Sequence, residues 1–374
     1  MLKEQGVQIT HSSEVFLQLA DMYQLPPSEV RYIDLNRTGV HLPDGEVRVG
    51  FRVRFITDLE TSGSISTWFA LPVRVQSDTP YSVNDQALWF ADEKMGKTHQ
   101  VELDTCDVSY QRGPRLLNLN SRSRSNCAGC TACAHNYKDL YDQTVIRDLD
   151  RLVTQKQIEN FFDQKEQAGL DIAALRQIAV VTGLFGSEGA VVTHMDLIRQ
   201  VVSPRGFKGE LMYFGCEVNS SDGLKRLADL GDFALVYAVD NFTKRSEILN
   251  RKKGKLTLED AKRTLTLARA LGIQTTFAYI AGIDDLASLQ QGFIFLADSI
   301  TRFPVVNVYQ IQTPGQMRII DEEAKGIEYY IKARGAIEQV LTGTGLRPRR
   351  WENYRPLWYD IYAGQPLPSN TFGE

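Results

Sequence analysis

Cys127, Cys130 and Cys133 stand at two-residue intervals in the stretch Asn126-Cys127-Ala128-Gly129-Cys130-Thr131-Ala132-Cys133-Ala134-His135. Thiols so close in one loop cannot reach one another as relaxed disulfides, but their thiolates can converge on a single iron–sulfur cluster. Three sulfurs serving four irons leave one iron unligated, so a coordination position stays open for a substrate or cosubstrate. Zinc is an alternative, with His135 as fourth donor, although structural zinc sites draw ligand pairs from separated segments and one short loop strains the tetrahedron. An electron carrier of the ferredoxin type expects a fourth cysteine after three further residues, where Tyr137 stands. Inert core thiols do not suit a loop flanked by Ser, Arg and Asn.

The elements that must position this loop are legible as two textures. The first part of the chain begins with an amphipathic helix expected over 13–23, closed by Leu25-Pro26-Pro27, and then turns to strands. Val47, Val49, Phe51, Val53 and Phe55 alternate with Arg48, Arg52 and Arg54, the period-two pattern of a half-buried strand with a solvated arginine face. A turn at Thr61-Ser62-Gly63-Ser64 leads to a second strand over 66–75. A later hairpin is expected from strands 86–90 and 98–103, with its turn at Glu93-Lys94-Met95-Gly96-Lys97. From Gly113 to about Leu341, apolar strands alternate with amphipathic helices. Strands are expected over 116–118, 178–182, 211–216, 234–239, 275–281 and 305–311, and the clearer helices over 192–202, 258–271, 286–299 and 324–341.

Alternation of this kind specifies a parallel sheet. Six units without a dinucleotide fingerprint specify an incomplete barrel, whose active site lies at the carboxyl ends of its strands, where the cysteine loop begins. The fold class is therefore α/β: a partial (β/α)6 TIM-like barrel over 111–345, an amino-terminal β-rich module over 1–110 and a basic, aromatic extension over 346–374. That extension, from Arg347-Pro348-Arg349-Arg350-Trp351 to Trp358-Tyr359, is too proline-rich to continue the barrel and is expected to wrap it.

Strand parity sorts the inner faces. Ala234, Val236, Ala238 and Asp240 share the small face expected to line the lumen, which puts Asp240 at a strand's carboxyl end. In the preceding strand Tyr213, Gly215 and Glu217 oppose Met212, Phe214 and Cys216. With Glu217 facing the cavity, Cys216 points away as a buried structural thiol; Cys106 has no assigned role. Asn307 and Tyr309 share a face of the last strand and are candidate substrate contacts.

A cysteine triplet after the first strand of such a domain resembles the radical S-adenosylmethionine superfamily. The usual family spacing has three residues and then two between cysteines; here both gaps are two, and Ala132 stands where an aromatic residue is common. Thr182-Gly183-Leu184-Phe185-Gly186-Ser187-Glu188 is similar to the family's Gly-Gly-Glu segment, and Ala278-Tyr279-Ile280-Ala281-Gly282-Ile283-Asp284-Asp285 to its GxIxGxxE segment. The resemblance implies a [4Fe-4S] cluster on Cys127, Cys130 and Cys133, with S-adenosylmethionine on the open iron. It further implies that Gly186, Ser187, Glu188 and Glu217 lie near its amino group, that Asp240 meets the ribose hydroxyls, that Arg251 meets the carboxylate, and that Ile280, Gly282 and Ile283 lie against adenine. The implied reaction is reductive cleavage to a 5'-deoxyadenosyl radical that takes hydrogen from a small molecule in a biosynthetic pathway. A peptide- or nucleic-acid-modifying relative, using the amino-terminal module for recognition, is the alternative.

Composition narrows the setting. The 374 residues are 43% hydrophobic and 24% charged, with net charge -4, which gives no overall attraction to nucleic acid or anionic membrane. No stretch approaches a membrane span, and the start has no basic-then-apolar leader, so a cytoplasmic location is expected. With 5 cysteines, three of them in one loop, a secreted disulfide framework is not indicated. Arg122 and Arg124 beside the loop suit an acidic flavodoxin or ferredoxin as reductant.

Overall fold

The computed structural model describes residues 13–43, 52–59, 65–103, 109–111, 115–121, 129–133, 152–181, 185–312, 314–349, 352 and 355–368. Cys127, Arg122, Arg124, Cys106, Gly183, His135, Tyr137, Arg48 and the turn at Thr61–Ser64 lie outside the described residues.

The chain starts with α1 (Ser13–Tyr23), as its apolar spacing requires, but the following prolines do not release it into strands. They open a second helix, α2 (Pro27–Thr38), because proline in a helix's first turn forfeits no hydrogen bond and arrives with helical φ. Six strands then close into a small barrel: β1 (Val40–His41), β2 (Arg52–Leu59), β3 (Ile65–Arg74), β4 (Tyr81–Asn84), β5 (Ala87–Phe90) and β6 (Glu93–Leu103), ordered β1-β3-β2-β6-β5-β4. Asp85 and Gln86 both take positive φ in the two-residue β4–β5 turn, the geometry that matches strand twist. Glu93–Lys97 belongs to β6 instead of forming a turn; the chain reverses just before it, where Ala91 takes φ 49.

Val53 and Phe55 fill the small barrel's core. The arginine face opposite is not solvated: Arg52 and Arg54 are 6% and 8% exposed. Arg52 Nη2 donates to Ala70 O at 3.1 Å, and Arg54 pairs with Glu102 at 2.7 Å while lying over Tyr110. Tyr110, which also stacks on Trp68, belongs to β7 (Ser109–Gln111), the first strand of the second sheet, so that sheet's edge covers Arg54.

The second sheet continues through β8 (Leu116–Leu119), β9 (Gln177–Val181), β10 (Glu210–Gly215), β11 (Phe233–Asp240), β12 (Gln274–Ala281) and β13 (Val305–Val308), in the spatial order β13-β12-β11-β10-β9-β8-β7. β8 to β13 run parallel; β7 alone is antiparallel. Between them lie α3 (Gln155–Gln167), α4 (Glu188–Val202), α5 (Ser221–Ala228), the short α6 (Arg245–Ile248) and α7 (Arg251–Gly254), α8 (Leu258–Ala270) and α9 (Leu286–Leu296); α10 (Ile327–Leu341) follows β13. Thr154, Ser187, Ser220, Thr257 and Asp285 each cap a helix by accepting a backbone N–H, so helix starts are fixed by side chains in the sequence. No helix among the described residues is long and apolar enough to cross a membrane.

The carboxyl-terminal extension wraps the sheet's open edge. Val308 N donates to Arg355 O and Arg355 N to Asn307 Oδ1, so the tail takes up hydrogen-bonding groups beside β13 that a bare edge would leave unpaired. Farther along, Glu29 of α2, wholly buried, accepts from Arg334 of α10 and from the backbone N–H groups of Tyr359, Asp360 and Ile361.

Candidate cluster and cosubstrate site

Three segments that leave carboxyl ends of strands meet at residues 129–133. Thr131 N donates to Ile248 O at 2.7 Å, which ties the loop after β8 to the connection after β11. Gln316 Nε2, beyond β13, donates to Ala132 O at 3.4 Å. Asn250 comes closest to the chemistry, because its backbone N–H and side-chain amide both point at Cys130 Sγ, at 3.2 and 3.6 Å. Its Oδ1 accepts from Lys252 N and Lys253 N, so one side chain starts α7 and addresses the sulfur together. Cys133 N donates to Cys130 O at 2.8 Å, curling the loop.

Charge around Cys130 is arranged on one side. Lys253 Nζ lies 3.0 Å from Asp240 Oδ2, and Lys253 acts electrostatically on both Cys130 and Cys216. Burial works to lower the Lys253 pKa, but Asp240 and then the two sulfurs outweigh it, so Lys253 stays a cation. Burial pushes the Cys130 thiol up to about 11, against the pull of Lys253 and the Asn250 N–H. Asp240 itself sits at φ 67, where the β11–β12 register shifts after Ala238. Aspartate tolerates this left-handed conformation better than most residues, and the kink turns its carboxylate toward α7. Arg245 secures the kink from behind, donating to Val239 O and, at 3.0 Å, to Leu256 O.

Parity holds on β11 and inverts on β10. Met212 pairs with Ala234 and Phe214 with Val236, so Met212, Phe214 and Cys216 share the inner face with Ala238, while Tyr213 packs outward against the helices. Glu217 follows Tyr213: its carboxylate accepts from Tyr213 Oη at 2.5 Å, Cys216 N at 2.8 Å and Phe185 N at 3.1 Å. The expected orientations of Glu217 and Cys216 are therefore exchanged. Cys216 is buried on the cavity side, its thiol pushed up to about 12 by burial.

The remaining expected residues are distributed unevenly. Glu188 is engaged at the start of α5, accepting from Asn219 N, Ser220 N and Ser220 Oγ. Ser187 caps α4, and Gly186 O accepts from Lys252 Nζ at 3.0 Å. Arg251 is exposed, and it is Lys253, two residues on, that turns inward to Asp240. Ile280 is half-buried, in register with Asn307; Ile283 is fully buried in the core. Gly282 takes φ 113, and a Cβ there would lie 2.6 Å from Tyr330 Oη, so packing alone requires glycine. Tyr309 lies past the end of β13, against Gly282, with its N–H on Ala281 O. Asn250 and Gln316 escaped the sequence reading, whereas Lys253 belongs to the basic group Arg245, Arg251, Lys252 and Lys253 after the fourth strand from which the sequence favours Arg251. Asn250 alone left a signal there, as a good N-cap residue ahead of a basic run.

The donors suit a soft cluster. Thiolate sulfur accepting N–H bonds is the ligand environment of iron–sulfur centres, and two of the three cysteines lie within the described loop. No protein-family model matches the chain, and no curated protein matches it. Among solved structures it is similar to the radical S-adenosylmethionine methyltransferase TsrM from Kitasatospora setae, with cobalamin and a [4Fe-4S] cluster bound (14% identity over 53% of this chain and 34% of that one, TM-score 0.35). It is also similar to the FeFe-hydrogenase maturase HydG from Carboxydothermus hydrogenoformans (15%, 60% and 51%, TM-score 0.39). A third is Streptococcus suis SuiB bound to S-adenosylmethionine (13%, 59% and 44%, TM-score 0.36). The chain thus spans between 34% and 51% of the length of these proteins.

Proposed function

We propose that this chain is a radical S-adenosylmethionine enzyme on a partial (β/α)6 barrel, with 1–110 as amino-terminal module, 111–345 as barrel and 346–374 as covering extension. The observation that carries this reading is the cysteine loop at the carboxyl ends of β8, β11 and β13, with both N–H donors of Asn250 directed at Cys130 Sγ. Cys127, Cys130 and Cys133 would hold a [4Fe-4S] cluster; burial opposes a free Cys130 thiolate, but metal coordination removes that penalty by deprotonating the thiol outright. When bound, the reduced cluster supplies the electron that cleaves S-adenosylmethionine to a 5'-deoxyadenosyl radical, which takes hydrogen from a substrate C–H.

The protein's own residues position and shield. Lys253 takes the place first given to Arg251 as the cation for the cosubstrate carboxylate, because it is fixed by Asp240 while Arg251 faces solvent. Asp240 keeps a second carboxylate oxygen for the ribose hydroxyls. Gly186 and Ser187 form the turn beside the amino group, and Ile280 offers an apolar face to adenine, supported from within by Gly282 and Ile283. Glu188 and Glu217 serve by fastening α5 and the β10 end instead of touching the cosubstrate. The substrate is a small molecule that meets Asn307 and Tyr309, the reductant a flavodoxin or ferredoxin arriving at Arg122 and Arg124, and the setting cytoplasmic.

Anaerobic reconstitution with iron and sulfide tests this. The wild type should take up about four irons per chain, show a broad visible charge-transfer band, and release 5'-deoxyadenosine from S-adenosylmethionine on reduction. Cys130→Ala should lose all three and Cys216→Ala keep them. Stoichiometric zinc with no iron uptake would sink the reading.

A further inference from the structure

Arg74, the last residue of β3, carries a charge that its surroundings do not balance. Its guanidinium is fixed on two sides: Nε donates to Thr38 O at 2.9 Å, and Nη2 donates to Ile311 O, beyond β13. Both partners are neutral carbonyls. Among the described residues no carboxylate reaches it within ion-pair distance, and burial lowers its pKa to about 10, with Asp78 only partly restoring it. A largely buried cation without a counter-ion is costly, and its two fixed N–H groups leave Nη1 available in a set direction.

Two further groups beside it want partners of the opposite kind. Gln310 and Gln312 flank Ile311 and are 3% and 7% exposed, yet their side-chain carbonyl oxygens accept no hydrogen bond among the described residues. Gln310 Nε2 is held by Ala70 O on β3, so Gln310 and Arg74 share that strand as a wall. Gln312 N donates to Gln316 Oε1, and Gln316 Nε2 reaches Ala132 O between Cys130 and Cys133. A continuous run of hydrogen bonds thus leads from the amino-terminal barrel to the cysteine loop, with an unbalanced cation and two idle acceptors along it.

We propose that Arg74, Gln310 and Gln312 form the substrate anchor: Arg74 receives a carboxylate, and the two glutamine carbonyls receive an N–H or O–H group of the same small molecule. The substrate class is then a small amino or hydroxy acid, and the amino-terminal module contributes a wall of the active site. The role as substrate rests on the radical-enzyme reading; the binding of the acid does not.

The test is thermal unfolding and calorimetric titration of the full chain, at constant ionic strength, with a panel of L-amino acids and of lactate and malate, each against its carboxamide. At least one acid should bind and raise the midpoint while its amide does neither. Arg74→Gln should weaken that acid at least tenfold, Arg74→Lys should retain part of the affinity, and Gln312→Leu should weaken amino or hydroxy acids but not the matching simple acid. No acid binding above its amide, or equal affinity in Arg74→Gln, overturns the proposal. So does a parallel loss of S-adenosylmethionine binding in Arg74→Gln, which would give the site to the cosubstrate. Iron uptake is measured on the same samples: acid binding without iron uptake leaves the anchor standing and removes only the radical chemistry.

Discussion

Replacing Glu29 with Gln should unlatch the carboxyl-terminal extension. The Glu29 carboxylate is fully buried and divides its acceptors cleanly: Oε2 takes Arg334 Nη1 at 2.9 Å and Tyr359 N at 3.0 Å, while Oε1 takes Asp360 N at 2.7 Å and Ile361 N at 2.8 Å. An amide in either orientation sets an NH2 group against two donors and removes the counter-ion from Arg334, which is itself 1% exposed. Glu338, 3.0 Å from Arg334 Nε, remains and softens the loss. Breaking one member of a buried pair costs about 3–5 kcal/mol, and the displaced N–H groups fall within the same change. With a urea slope of about 3 kcal/mol/M, the midpoint should fall by roughly 1 M or more. The assay is equilibrium urea unfolding followed by tryptophan fluorescence, for which Trp358, bonded to Glu338 at 2.7 Å, is a local reporter. The double variant Glu29→Gln with Arg334→Met should be less destabilised than the sum of the singles, since the second change removes the stranded charge. A midpoint for Glu29→Gln within about 0.2 M of the wild type, at most roughly a fifth of the expected cost on that slope, would refute the reasoning.

Three other outcomes follow from the site and its supports. Asn250→Ala removes the side-chain amide at Cys130 and the cap of α7, so reconstituted protein should lose iron to a chelator about 10-fold faster or more than wild type, a second-layer effect of ordinary size. Gly282→Ala forces a Cβ at φ 113 against Tyr330 Oη and should destabilise by about 1–3 kcal/mol in the same urea assay, with partial rescue by Tyr330→Phe. Glu188 has its pKa lowered: partial burial works to raise it but is outweighed by the Ser220 hydroxyl and the Ser220 and Asn219 N–H groups. A depressed carboxylate stabilises above its unfolded value of about 4.3 and loses that contribution as pH falls through the lower folded value. Glu188→Gln should therefore flatten the acid limb of a midpoint-versus-pH curve below about pH 4.3, and an unchanged limb would exclude this role.

The amino-acid sequence by itself determined the rhythm of the second sheet and singled out the loop on which the proposed function rests. Apolar runs bounded by amphipathic helices located all six parallel strands to within a few residues, because a strand buried on both faces has few polar residues to blur its limits. Three cysteines in seven residues marked, without any fold, the loop proposed to hold the cluster. Tertiary structure decided what a period cannot. Alternation told that Cys216 and Glu217 point oppositely, but which one faces inward follows from the pairing of Met212 with Ala234, a contact with a strand about 20 residues away. Arg251, Lys252 and Lys253 are successive residues of one helical turn, so they diverge by construction, and only the kink at Asp240 selects Lys253. The arginines of β2 look solvated in one dimension and are buried in three, Arg52 bonded to the Ala70 carbonyl and Arg54 set against Tyr110 of the other sheet's β7. Glu29 sits in a helix of weak apolar pattern, and its importance comes from a tail more than 300 residues away, three successive backbone N–H groups of which donate to its carboxylate.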